Sequence, residues 1–210
     1  MSLSPERFKA PFIKPDRAWA EADRIRREFW PSGRIPVEVE EILGGLGLRL
    51  EPIHSLKESG DVDALLRGDL TTIIVDADEY MDDRMQNRMR FSLAHELGHF
   101  VLHADLYKGI SHASVEEWID FVQRIPEEQY SWIELQAYEF AGRLLVPVDR
   151  LKQELHAVGQ EAAAKGFSDW DRSGAAALEY IANPLSRVFG VSGQVIEKRI
   201  IKERLWPLQE

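Results

Sequence analysis

The chain contains no cysteine. That absence excludes a disulfide framework, a thiolate metal site and a cysteine nucleophile, so any metal must be held by imidazoles and carboxylates. No apolar run approaches the roughly 18–20 residues that a membrane-spanning helix requires. The opening stretch MSLSPERFKAPFIKPDR has no apolar segment of the kind a secretory signal carries, and a cytoplasmic location is expected. Positive charge is scarce: 26 Lys and Arg face 36 Asp and Glu, giving a net charge of −10. That sign argues against general affinity for nucleic acid or anionic lipid. Internal repeats and low-complexity stretches are missing as well. What remains is ordinary for a globular protein of 210 residues, with 44% hydrophobic and 30% charged residues. This is enough apolar material for one sizeable core.

Read along the chain, residues 1–15 form an extended arm. DRAWAEADRIRREFW (16–30) reads as an amphipathic helix capped by Asp16 and stopped by Pro31. Pro36 suits the first turn of a short helix, PVEVEEILGGL, which glycines 44, 45 and 47 end. The period then changes. LRLEPI (48–53), DVDALLR (61–67) and LTTIIVDA (70–77) read as short strands of a small, mostly antiparallel sheet, with Gly68-Asp69 as a tight hairpin. From Arg84 to His103 the chain predicts one long helix whose buried stripe is Met85, Met89, Leu93, Leu97 and Val101. A helix near 114–124 ends at Pro126, and a strong one runs from Ser131 to Val146 before Pro147. Residues 148–158 suit a further helix, 159–174 a flexible loop, and the tail two helices broken at 189–193, with Ser192 as a cap. The expected class is α+β, a small sheet packed on a helix bundle. It divides into an arm and helix (1–30), a core (31–150) and a helical C-terminal segment (151–210).

The chemistry concentrates in RFSLAHELGHFVLH (90–103). His95 and His99 lie four apart on the long helix, about 40° round its axis and about 6 Å along it, so both imidazoles can converge on one ion. Glu96 lies about 100° round from His95, where it can reach a water at the ion without ligating it, the logic of HExxH hydrolases. With six His in 210 residues, shuffled chains produce this motif by chance about 2% of the time. Gly98 beside His99 costs a helix roughly 1 kcal/mol and makes sense where something approaches closely. His103 stands two turns from His95, about 12 Å along the axis, too far to share an ion with it. It reads as a residue supporting His99, a group at the helix end, or a packed structural histidine.

Such a site needs a third protein ligand and one open position. No third histidine follows at short spacing, so a carboxylate from a neighbouring helix is required. In YSWIELQAYEFAGRLLVP (130–147), Glu134, Ala137 and Ala141 share a face whose small residues permit close helix approach. Glu134 is the expected ligand. Glu139 points elsewhere and is expected in solvent; Glu116, Glu117, Glu127 and Glu128 lie in less regular surroundings.

The chain resembles the ImmA/IrrE family of zinc metallopeptidases. The matching pieces are RFSLAHELGHFVLH, the preceding TTIIVDA, ELQAYEFAGRLLVP and the tail VFGVSGQVIEKRI, together covering most of residues 36–205. The family often has Glu-Ala-Asn where this chain has Gln136-Ala137-Tyr138, and here the connection from His99 to Glu134 is long. The resemblance implies a zinc ion (or another divalent metal such as Mn2+) on His95, His99 and Glu134, with Glu96 as general base. It further implies a protein substrate, a helix-turn-helix repressor whose cleavage releases stress or mobile-element genes. Tyr130, Tyr138 and His112 are the candidates for steadying an oxyanion. Two other readings compete. One is a regulatory binding protein or toxin–antitoxin component that uses the fold without cutting. The other is a DNA-binding regulator using SGQVIEKRIIKER as a recognition helix, although its Lys198, Arg199, Lys202 and Arg204 alternate with Glu197 and Glu203 as on a solvated face.

Overall fold

Proline and glycine mark most element boundaries in the computed structural model, which describes residues 4–107, 115–166 and 175–206. Helix α1 (Pro15–Phe29) begins with Pro15, because a first-turn residue needs no N–H donor. Asp16 therefore sits inside the first turn and Lys14 takes the cap position, a correction to the capping role expected for Asp16. Helix α2 (Val39–Gly45) starts later than Pro36 suggested. Glu38 is still extended, and Pro36 lies in the preceding turn after a cis Ile35–Pro36 bond. Gly47, at φ +76°, then turns the chain into the sheet.

The sheet has three strands in the order β1 (Arg49–Ile53), β3 (Thr72–Asp76), β2 (Ala64–Leu66). The β2–β3 hairpin is antiparallel, with Leu65 opposite Ile74. β1 runs parallel to β3, with Leu50 opposite Ile73. Parallel pairing requires a crossover, and the segment between Ile53 and Thr72 provides it with helix α3 (Leu56–Gly60) and β2. The central strand β3 is buried along its whole length, as its unbroken run of Ile, Ile and Val demands. Asp76 closes it by accepting the backbone N–H groups of Asp78 and Glu79, capping helix α4 (Ala77–Met81).

The long helix α5 (Gln86–Tyr107) follows a 3-10 turn capped by Asp82. Then come α6 (Val115–Gln123), α7 (Glu127–Leu145), α8 (Val148–Ala164), α9 (Ala175–Phe189) and α10 (Gly193–Lys202). Residues 159–164, expected in a loop, continue α8 instead. Ala162, Ala163 and Ala164 favour helix, the Glu161–Lys165 ion pair spans one turn, and the helix stops only at Gly166, at φ +84°. The remainder of that expected loop, 167–174, lies outside the described residues. The break at 189–193 is present, and the Ser192 side chain accepts from Val195 N–H to start α10.

One apolar cluster joins Ile25 and Trp30, the sheet residues Leu66, Ile73 and Val75, Leu93 and Leu97 of α5, Phe140 and Leu144 of α7, and Phe189, Ile196 and Ile200 near the C-terminus. Each such side chain contributes about 1.5–3 kcal/mol on burial. No helix among the described residues is long and apolar enough to cross a membrane.

Candidate metal centre

Helices α5 and α7 cross where the sequence is smallest. An added Cβ at Gly98 would lie 3.1 Å from the Ala137 Cα, 3.2 Å from its carbonyl oxygen and 3.3 Å from the Phe140 Cβ. The two main chains therefore touch, and this explains a glycine mid-helix despite its cost. Glu134 is one turn before Ala137, so the same contact brings its carboxylate over His95 and His99.

The three donors converge. The His95 and His99 Nε2 atoms are 3.0 Å apart; the Glu134 oxygens lie 3.1 Å from the first and 3.2 Å from the second. Separations near 3 Å are those between ligands of a tetrahedral ion bonded at about 2 Å. The donor set, two imidazoles and a carboxylate, is one that zinc accepts. The residues therefore fit a divalent ion, and these three form a group able to hold one.

Electrostatics follow from burial and proximity. Burial raises the Glu134 pKa, but hydrogen bonds from His95 and His99 outweigh it and hold the carboxyl well below its ordinary range. Burial lowers His99, and the Glu134 hydrogen bond with the charges of Glu96 and Glu134 reverses this to a net rise. Glu96 is raised, chiefly by burial. Its Oε2 accepts the backbone N–H of Leu66 on β2 at 2.8 Å, which leaves the other carboxylate oxygen for chemistry.

The two histidines of the cluster are supported differently. The Nδ1 of His99 lies 3.0 Å from the Nδ1 of His103, and the His103 Nε2 lies 2.8 Å from the Gln136 Oε1. His103 is 1% exposed, and α5 continues past it to Tyr107. Burial, with His99 adding, pushes its pKa down to about 3. Its place a full turn before the helix end, between His99 and Gln136, makes it a packed partner of His99 rather than a helix-end group. The His95 Nδ1 is buried with no hydrogen-bond partner among the described residues; the His95 and Tyr138 rings pack edge-on, with centroids 4.6 Å apart.

The site opens into a cleft of about 400 Å³ lined by β2, α5, α6 and α7, with Phe8 of the N-terminal arm in its wall. Tyr130 and Tyr138 both line it. Burial, with the charges of Glu134 and Glu96 adding, raises the Tyr130 pKa. His112 lies outside the described residues.

Two expectations are corrected. Glu139 is not in solvent. It is 5% exposed and accepts from the Trp19 indole N–H at 2.9 Å, with Lys202 as its salt-bridge partner. Helix α1 and helix α10 both cover α7 there, which a helical wheel of α7 alone does not reveal. Arg199, placed on a solvated face, is 3% exposed, lies over the Trp19 ring and pairs with Glu203. With Arg199 buried and Lys202 committed to Glu139, α10 does not present the basic face of a recognition helix. Sequence reasoning missed Gln136, Leu66 and the arm as parts of the site. The available signal was that Gln136 and Tyr138, two departures from the family pattern, each touch a histidine of the cluster.

The IrrE N-terminal-like domain family of peptidases matches residues 80–200, and the chain belongs to that family. No curated protein matches it.

Proposed function

We propose that the protein is a zinc-dependent endopeptidase. The observation that supports this most is the convergence of His95, His99 and Glu134 beside a buried, raised Glu96 in a cleft of a peptidase-family chain. Bound zinc supplies Lewis-acid polarisation and lowers the pKa of a coordinated water towards 7. The Nε2 atoms of His95 and His99 and the Glu134 carboxylate would hold it. Glu96 takes a proton from the attacking water through the oxygen not bound to Leu66, then delivers it to the leaving amine. Its raised pKa brings it closer to working pH, where a general base transfers protons best. Tyr130 and Tyr138, which both line the cleft, are the candidate phenols for steadying the oxyanion.

The proposed substrate is a polypeptide, and the ImmA/IrrE resemblance points to a cytoplasmic helix-turn-helix repressor whose loss releases stress or mobile-element genes. In this reading residues 31–150 carry the site, and the helices of 151–210 support it. The test is incubation with a helix-turn-helix repressor, with and without chelator. Chelator-sensitive fragments are expected, and Glu96→Gln should retain zinc while losing about 10²–10⁴-fold in turnover. A stable complex without fragments would instead favour a binding protein, and wild-type turnover in Glu96→Gln would refute the role of the base.

A further inference from the structure

The arm that precedes α1 reaches the candidate metal centre by a chain of hydrogen bonds whose direction can be deduced. Gln136 Nε2 lies 2.8 Å from the carbonyl oxygen of Pro11. A carbonyl can only accept, so the nitrogen of the Gln136 amide must face Pro11 and its oxygen must face His103. That oxygen also only accepts, so the His103 Nε2, 2.8 Å away, carries the proton. With the proton on Nε2, the His103 Nδ1 offers a lone pair to the His99 Nδ1, 3.0 Å away. A His99 imidazole that ligates through Nε2, the atom facing His95 and Glu134, keeps its proton on Nδ1 and donates it there.

We infer that Pro11, Gln136 and His103 form a positioning relay that fixes the His99 tautomer for metal binding, with the N-terminal arm as its outer anchor. This rests on the reading that His95, His99 and Glu134 hold the metal. The arm is held independently. Ala10 N–H donates to the Gln129 Oε1 at 2.9 Å, and Phe8 is buried with Phe121, Ile125 and Ile133. Both anchors tie the arm to residues of α6, α7 and the turn between them, inside the range matched by the peptidase family. The relay's logic also explains glutamine at 136. A carboxylate there could accept from His103 but would set two acceptors against each other at Pro11. Among the described residues the His95 Nδ1 has no such partner, so the two histidines should differ in sensitivity.

The experiment uses the full chain with zinc alone as probe, reading affinity by chelator competition and imidazole tautomers by 15N–1H NMR. In the zinc-loaded wild type, His103 should be the Nε2–H form and His99 the Nδ1–H form. Gln136→Leu should weaken zinc binding about 10–100-fold, the range for loss of such support. Gln136→Glu, which keeps the acceptor for His103, should recover most of that affinity. Gln129→Leu, remote from the ligands, should loosen the arm and weaken zinc several-fold. Melting of the zinc-free variants, monitored in parallel, separates lost support from lost fold. An Nδ1–H tautomer at His103, or a folded Gln136→Leu chain with wild-type zinc affinity, overturns the relay while leaving the metal site standing. A wild-type chain that takes up no zinc refutes the site and the relay together.

Discussion

Gly98→Ala is the most incisive perturbation of the fold and the site together. A new methyl at 98 would meet three atoms at 3.1–3.3 Å, two of them Ala137 main-chain atoms that cannot rotate away. Relief requires α7 to move off α5 by a few tenths of an ångström. Overpacking of this kind costs about 1–3 kcal/mol. Replacing glycine by alanine inside a helix returns about 1 kcal/mol. A net loss of about 1 kcal/mol is therefore expected, or about 2–4 °C in Tm for a chain of this size. Glu134 moves with α7, so zinc affinity should fall by about tenfold, the low end for disturbed ligand support. Gly44→Ala in α2 is the control. Nothing lies within 4 Å of a Cβ there, so the same substitution should raise stability by up to about 1 kcal/mol. Thermal unfolding of the zinc-free chains and chelator competition on the loaded ones give both readouts. A Gly98→Ala chain that melts at or above the wild type with unchanged zinc affinity would refute the close-contact argument.

Other outcomes follow from the same geometry. Glu134→Ala should abolish stoichiometric zinc uptake, measured by elemental analysis after desalting, whereas Glu139→Ala should lower stability and leave zinc content intact. Lys202→Met leaves the buried Glu139 carboxylate with the Trp19 indole and the Arg199 guanidinium 4.0 Å away; because Lys202 is partly exposed, urea unfolding should show a loss smaller than the ~3–5 kcal/mol of a fully buried pair. Burial raises the Asp23 pKa, but its bonds and charge contacts with Arg143 and Arg26 outweigh this and leave it lowered. A carboxylate with a depressed folded pKa stabilises above its unfolded value and loses that contribution as pH falls through the folded value. Asp23→Asn should therefore destabilise at neutral pH, with the gap to wild type closing below about pH 4 in a melting series.

The parts of this fold that sequence made legible are those governed by local spacing. His95 and His99 follow from the helical period, and Glu134 from its place on the face of Ala137 and Ala141, which packs on Gly98. The boundaries at Gly47, Pro147 and Ser192 follow from backbone chemistry. The parts that stayed hidden depend on partners distant in sequence. Glu139 looked solvated because its neighbours, Trp19 and Lys202, come from the two ends of the chain. The parallel placement of β1 depends on the crossover between Ile53 and Thr72, which alternation of side chains cannot register. Gln136 has no meaning alone; it acquires one only between His103 and Pro11.

The meeting of Gly98 with Ala137 sets how far apart the main chains that carry the three donors stand. Glu134 hangs from one helix and both histidines from the other, so any slip of α7 along α5 displaces the carboxylate relative to both rings at once. The crossing therefore couples the spacing of the donors to the close packing of the interior beneath them.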